Sequence, residues 1–436
     1  MDFSWLWIVP VLGVLVVVHE MGHFFSARLL GIKVEEFGIG FPPRVFAIRH
    51  NGIDYSLNWL PIGGFVKIVG ENGDSDDPAS FGRAPAWKRI IVLAAGSFMN
   101  LVLAFVIFAS LAVSGTTEVD APSTGVGSVS SGQPAATAGM QPGDRIVSVG
   151  GQEVSNSDQV RSLSRKYAGT PTDFVVDRNG KEITLKITPN PNPPGGTAYL
   201  GITLDFWVSP AKVGDVRAGS VADKAGLKPG DEIIKVNGTT VNNQSVVTSM
   251  LASAKEAPQV TVMRNGKEVG PFTLDVGNEQ QKSYGFALYK PQHVVYYNPA
   301  QAVGKAIGNT WEVVSNIPKG IAQAFAGQAQ GPGVTGPVGI AQLTGEVAQE
   351  GGFDKLLNLT ALLSISLFLI NMLPLPALDG GRLLFILIEL VRGGRRIAPE
   401  KEGMVHFAGM MVLLAFMLII TVFDVQRIFE GGRLLP

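Results

Sequence analysis

Two histidines and a glutamate stand inside an apolar run: "VLVVVHEMGHFFSARLLGI", Val14 to Ile32, contains His19, Glu20 and His23. On a helix, residues i and i+4 share a face. The two imidazoles of this H-E-x-x-H can therefore grip one zinc ion while Glu20 points at its water. Ionisable groups at membrane depth cost about 2.5–3.5 kcal/mol each by insertion scales, so they are rare there without a purpose. The chain has 436 residues, five histidines and no cysteine, so any metal must be held by His, Asp or Glu.

A catalytic zinc takes three protein ligands and keeps one position open. "NMLPLPALDGGRLLF" (Asn371–Phe385) offers the third in Asp379. Pro374 and Pro376 interrupt a helix at membrane depth, and such a break is tolerated only where it is buried in protein or lines a cavity. His19 and His23 lie about two-thirds of the way from the outer end of their span, at about 1.5 Å per residue. Asp379 lies about two-thirds through a span of the same direction, so the three side chains can meet. Asp379 also fits the N-cap of the helix that follows it. His50, His293 and His406 show no partner pattern and read as bystanders.

Four segments have the length and apolarity to position these groups: Trp5 to about Ala27, Ile90–Val113, Leu356–Val391 with its proline break, and Met404–Phe423. No positive charge precedes Trp5 and no small-residue cleavage site follows, so the first run reads as a retained span. Lys33, Arg44, Arg49, Lys67 and Lys88 crowd the loop between the first two spans, and Arg392, Arg395, Arg396 and Lys401 the last connection. By the positive-inside rule both termini face out, as does everything between Ser114 and Lys355. The composition, 46% hydrophobic and 16% charged, suits a membrane protein with soluble parts, and a net charge of -1 gives no case for a nucleic-acid partner.

The outer stretch contains a repeat. "QPAATAGMQPGDRIVSVGG" (Gln133–Gly151) matches "SVADKAGLKPGDEIIKVNG" (Ser220–Gly238), each with a short helix, a Pro-Gly turn and an alternating strand. The pair resembles tandem PDZ domains of the circularly permuted bacterial type. "YLGI" (Tyr199–Ile202) reads as the carboxylate-binding strand of the second copy, with no equally clear counterpart in the first. From Asn298 to about Ala326, Ala302, Ile307, Trp311, Val314 and Ile321 mark an amphipathic helix fit to lie on a membrane surface. "GPGVTGPVGI" (Gly331–Ile340) reads as a turn. The expected divisions are 1–114, an N-terminal membrane core; 115–195 and 196–290, two PDZ domains; 291–350, the surface helix and Gly-Pro loop; and 351–436, a C-terminal membrane core.

H-E-x-x-H in the first span and N-x-x-P-x-P-x-x-D-G in a later one resemble the site-2 protease family of intramembrane zinc metalloproteases. With the outward termini and tandem PDZ pair, the whole chain is similar to the bacterial regulator of sigma-E protease type. The resemblance implies that His19, His23 and Asp379 bind Zn2+, that Glu20 is the catalytic base, and that Asn371, with Pro374 and Pro376, meets the substrate. It likens "NGIDYSLNWLPIGGFVKI" (Asn51–Ile68), whose first half alternates apolar residues, to a membrane-reentrant β-hairpin; the other reading is an ordinary cytoplasmic β-loop. The hairpin's edge, at Gly63 and Gly64, would receive an unwound substrate by β-augmentation. "GSFMN" (Gly96–Asn100) falls where the family often has G-P-x-x-N, with Ser97 in place of the proline.

The implied fold is a multi-pass α-helical membrane protein: four transmembrane helices, one broken, a reentrant β-hairpin and two extracytoplasmic β-rich PDZ domains. The implied activity is zinc-dependent endoproteolysis of single-pass membrane proteins, such as a trimmed anti-sigma factor or remnant signal peptides, in the bacterial inner membrane. Expected partners are that substrate, the lipid bilayer and peptide C-termini at the PDZ domains. Two rival readings are a PDZ-based membrane scaffold with a degenerate site, and a metal-ion transporter. The intact His19, Glu20, His23 and Asp379 argue against the scaffold, and the lack of a repeat among the spans argues against the transporter.

Overall fold

The structure is a computed structural model that describes residues 3–71, 75–193, 199–254, 256–275, 284–325, 335–429 and 434. The chain divides into two compact units, Met1–Thr116 with Val295–Leu435, and Thr117–Val294.

In the first unit four helices are long and apolar enough to cross a bilayer: Ser4–Leu29, Ala86–Ser114, Gly352–Met372 and Pro399–Phe429. The third span stops where its prolines require: the helix ends at Met372 and a new one runs Asp379–Val391. Tight packing closes the gap. A Cβ on Gly380 would lie 2.1 Å from the Leu373 carbonyl oxygen, and one on Gly381 2.2 Å from that of Leu375. At the far end of this half-helix, buried Glu389 accepts from Arg89 Nη2 at 2.8 and 3.0 Å and from Arg396 Nε at 3.2 Å. The ion cluster ties the start of the second span to the end of the third, and removing one partner would strand a buried charge.

The loop after the first span is an antiparallel hairpin, Val34–His50 against Ile53–Ile68, so the expected stretch Asn51–Ile68 supplies only the turn and the second strand. Asn51 and Gly52 turn it at φ 49 and 79, as a two-residue loop between twisted strands requires. Phe41, Val45, Phe46, Ile48, Trp59 and Leu60 are exposed along it. The helix expected over Asn298–Ala326 spans Pro299–Phe325, with Ala326 outside the described residues. Ala306 and Val314 pack with Ala104 and Ile365, whereas Ile307, Trp311 and Ile321 are exposed. Of the Gly-Pro stretch, Gly331–Val334 lie outside the described residues, and Pro337–Ile340 begin a helix instead of a turn.

The second unit holds the two repeats. The first builds a sheet in the order Lys181–Ile187, Thr172–Arg178, Arg145–Val149, Gly125–Val129, Ile202–Asp205. The strand that follows Tyr199 therefore belongs to the first repeat, against the expectation that "YLGI" opens the second. The expected boundary at 195/196 falls inside the first repeat for the same reason. In a permuted sheet the last strand in the chain returns to the first, and a short apolar strand carries no signal of which neighbour it joins. The second repeat has its own counterpart: Phe286–Leu288 pairs with Val213–Val216. Gly201 and Gly285, both at φ +75, occupy matching turns where a Cβ would meet Gln133 and Ser220 at 2.2 Å. The repeats also share one buried ion pair. Arg178 holds Asp144 at 2.7 Å, and Arg264 holds Asp231 at 2.6 Å. Burial alone would raise the Asp231 carboxyl, but the Arg264 guanidinium and the Lys228 N–H outweigh it and hold it below the usual carboxylate range.

Candidate metal centre

The first span presents His19 and His23 one turn apart, and the restarted helix presents Asp379 at its first residue. Asp379 Oδ2 lies 3.1 Å from His19 Nε2 and 3.4 Å from His23 Nε2. One ligand atom from each of the three falls within 4.8 Å of the others.

The surrounding bonds favour a cation. His23 Nδ1 donates to the Val92 carbonyl oxygen at 2.8 Å, which leaves Nε2 with a free lone pair. Asn100 reaches His19 Nδ1 at 3.4 Å, and its buried Oδ1 has no partner among the described residues. Turning that amide by half a revolution lets Oδ1 accept the His19 Nδ1–H, an assignment hydrogen-bond networks decide. Both Nε2 atoms are then unprotonated and only 3.1 Å apart, beside a carboxylate oxygen. Three lone pairs converging without a proton repel one another, and a bound cation removes the repulsion. Two imidazoles and a carboxylate with room for a fourth ligand are a donor set that fits zinc.

Glu20 lines the same cavity as the three. Its Oε2 accepts from the backbone N–H of Val66 at 3.0 Å, which joins it to the hairpin strand. A cavity of about 200 Å³ opens between His19, Glu20, His23, Phe65, Asp379 and Arg382. A Cβ on Gly64 would lie 2.9 Å from the Gly38 carbonyl oxygen and 4.0 Å from Glu20 Cγ. Gly63 lies against Val16 and Phe41. Asn371 ends the third span half-buried and makes no hydrogen bond with the three clustered side chains among the described residues. Pro374 is exposed, and Pro376 packs on the fourth span at Gly409. Ser97, in the position often held by proline, makes a long contact to Asp379 Oδ2 at 3.5 Å.

The chain matches the model of peptidase family M50 over residues 7–416. It belongs to that family. Relatives share its full extent: the zinc metalloprotease RasP of Geobacillus kaustophilus is 32% identical over 97% of both chains. A putative zinc metalloprotease of Vibrio cholerae is 30% identical over 98% of this chain and 100% of its own. One from Neisseria meningitidis is 31% identical over 95% and 97%.

Sequence reasoning missed Val66, Arg382 and His406. Val66 could not be found from sequence, because a backbone donor has no residue-type signature. Arg382, which pairs with Glu71, was visible as a charge one turn after Asp379. His406, read as a bystander, accepts the Ala377 N–H at 2.9 Å. Its signal was present: an ionisable residue inside a membrane span.

Close approach of the first two spans sets the ring of His23. A Cβ on Gly22 would lie 2.2 Å from the Ala95 carbonyl oxygen, and one on Gly96 2.2 Å from His23 Nε2. Small residues at a helix crossing permit this contact. Gly96→Ala should displace His23 Nε2 and weaken zinc binding by about tenfold or more, the scale of lost ligand support. Chelator competition checks it, and unchanged affinity would mean the ring can move freely.

Proposed function

We propose that this zinc metalloprotease is an intramembrane endopeptidase that cuts single-pass membrane proteins after an earlier cleavage has removed their outer domains. The observation that carries the reading is the meeting of His19, His23 and Asp379 on two helical segments built to cross a bilayer. These three residues would hold the zinc. When bound, the zinc supplies Lewis acidity, which polarises a carbonyl and makes water nucleophilic near neutral pH.

The chain's own groups do the rest. Glu20 takes a proton from the attacking water and returns it to the leaving amine as the C–N bond breaks. The Val66 N–H fixes that carboxylate against the hairpin strand. A transmembrane helix hides its peptide bonds, so the substrate must first unwind, and the strand edge near Gly63 and Gly64 would then bind it as an added strand. The exposed apolar side chains of the hairpin favour its dipping into lipid. Trimmed anti-sigma factors and remnant signal peptides are the substrate class this arrangement admits. The enzyme would sit in a bacterial inner membrane with both termini outside.

The activity is tested with purified full-length protein in detergent and a peptide of one unwinding-prone membrane span. Cleavage within the span should stop on chelation and return with zinc. Cleavage that survives complete metal removal would refute the reading.

We take the repeat unit as a PDZ pair on the outer side that restricts access. Deleting Val126 to Tyr289 should then permit cleavage of untrimmed substrates that the intact enzyme spares. Loss of cleavage of a trimmed substrate, in a deletion protein that still binds zinc, would instead make the pair an activator. Orientation has its own check, since the chain lacks cysteine. A cysteine at exposed Ser128 should react with an impermeant reagent in spheroplasts. Reaction only after the inner membrane is opened would reverse the topology.

A further inference from the structure

The broken third span leaves Leu373–Leu378 without helical partners at membrane depth, where water cannot satisfy a free N–H. Pro374 and Pro376 have no N–H to satisfy. Leu375 bonds to the Leu373 carbonyl oxygen at 2.7 Å and Leu378 to that of Leu375 at 3.3 Å. Ala377 remains, a non-glycine residue at φ 74, in the left-handed region that a Cβ disfavours. Its N–H is taken by Nδ1 of His406, on the fourth span, at 2.9 Å.

The fourth span meets the break at two further points. Gly409, one turn beyond His406, lies so close to Pro376 that a Cβ would come within 2.2 Å of the proline Cβ. The His406 ring also packs on Phe385, 5.4 Å between centroids, in the half-helix that Asp379 opens. One face of the fourth span therefore grips the chain on both sides of Asp379. Met404, Val412 and Leu418 elsewhere on that span are exposed.

We propose that His406 is a positioning residue for the metal centre. By accepting the Ala377 N–H, it locks the Pro374–Leu378 segment in the left-handed turn that aims Asp379 at His19 and His23. This rests on Asp379 being a zinc ligand. His406 acts through the backbone two residues before Asp379. Because Nδ1 accepts, the ring proton is on Nε2, whose nearest acidic partner is Glu402 Oε1 at 3.8 Å. Packing on Phe385 needs only a ring of this size; holding the Ala377 N–H needs an acceptor, and the two can be separated by substitution.

His406→Phe keeps the ring and removes the acceptor, whereas His406→Asn restores an acceptor oxygen near the place of Nδ1. Full-length proteins in detergent are compared by zinc competition with a chelator and by hydrogen exchange of the 373–379 segment in zinc-free protein. Expected for His406→Phe is about a tenfold loss of zinc affinity, faster exchange and a fall in kcat with KM little changed. His406→Asn should return to within about twofold of the parent. In an Asp379→Ala background, His406→Phe should lower zinc affinity no further. Parent-like affinity in His406→Phe overturns the proposal. So does equal impairment in the Phe and Asn variants, which makes the role one of packing. If Asp379→Ala itself binds zinc like the parent, the metal-centre assignment fails instead.

Discussion

Glu20→Gln should bind zinc like the parent protein and cleave at least about a thousandfold more slowly. The amide keeps the size of the carboxylate but cannot take a proton, and general base catalysis contributes about 10²–10⁴-fold. Glu20 is not one of the three grouped ligands and accepts the Val66 N–H at 3.0 Å, so its replacement leaves the donors in place. Single-turnover cleavage and metal analysis of one preparation check both halves. Residual cleavage within tenfold of the parent would assign the base to another group.

Asp379→Ala and His23→Ala should lose zinc and cleavage together. Each removes one of three donors, and Asp379 Oδ2 sits 3.1 Å and 3.4 Å from the two imidazoles it would join with through the metal. With two donors left, binding should weaken by several orders of magnitude, and activity should fall to background even with added zinc. Because the half-helix from Asp379 is also held by Arg89 on Glu389, the variants should still fold, which circular dichroism and detergent gel filtration would show. Zinc retained at one per chain in Asp379→Ala would remove it from the ligand set.

Much of this centre was legible in the sequence for local reasons. H-E-x-x-H fixes two donors and a base by helical spacing alone, and Pro374 and Pro376 mark the break that carries Asp379. Counting depth along two spans then brought residues 360 positions apart to one level, because a bilayer confines what a soluble fold would leave open. Alternation over Asn51–Ile68 and the family resemblance point to the hairpin's second strand, whereas its first strand, Val34–His50, carries no such signal in that stretch.

What stayed hidden depends on long-range pairing. The bond from His23 Nδ1 to the Val92 carbonyl oxygen uses a backbone group, and Arg89 with Glu389 joins residues 300 apart. Neither leaves a local pattern. "YLGI" was placed with the wrong repeat because proximity in sequence favours one neighbour while the permuted sheet selects the other. His406 was set aside for want of a partner of its own kind. Its partner is an N–H freed by a proline break 29 residues earlier.

His19, His23 and Asp379 together would bind the zinc of the proposed intramembrane peptidase. Zinc-edge X-ray absorption on the Glu20→Gln protein tests it most directly, since the ligands are intact and turnover is blocked. The zinc should show two imidazoles and an oxygen shell at about 2.0–2.2 Å, with no sulfur. The signal should be lost in Asp379→Ala. Three imidazoles, which would recruit His50, His293 or His406, or a shell with fewer than two, would contradict this ligand set.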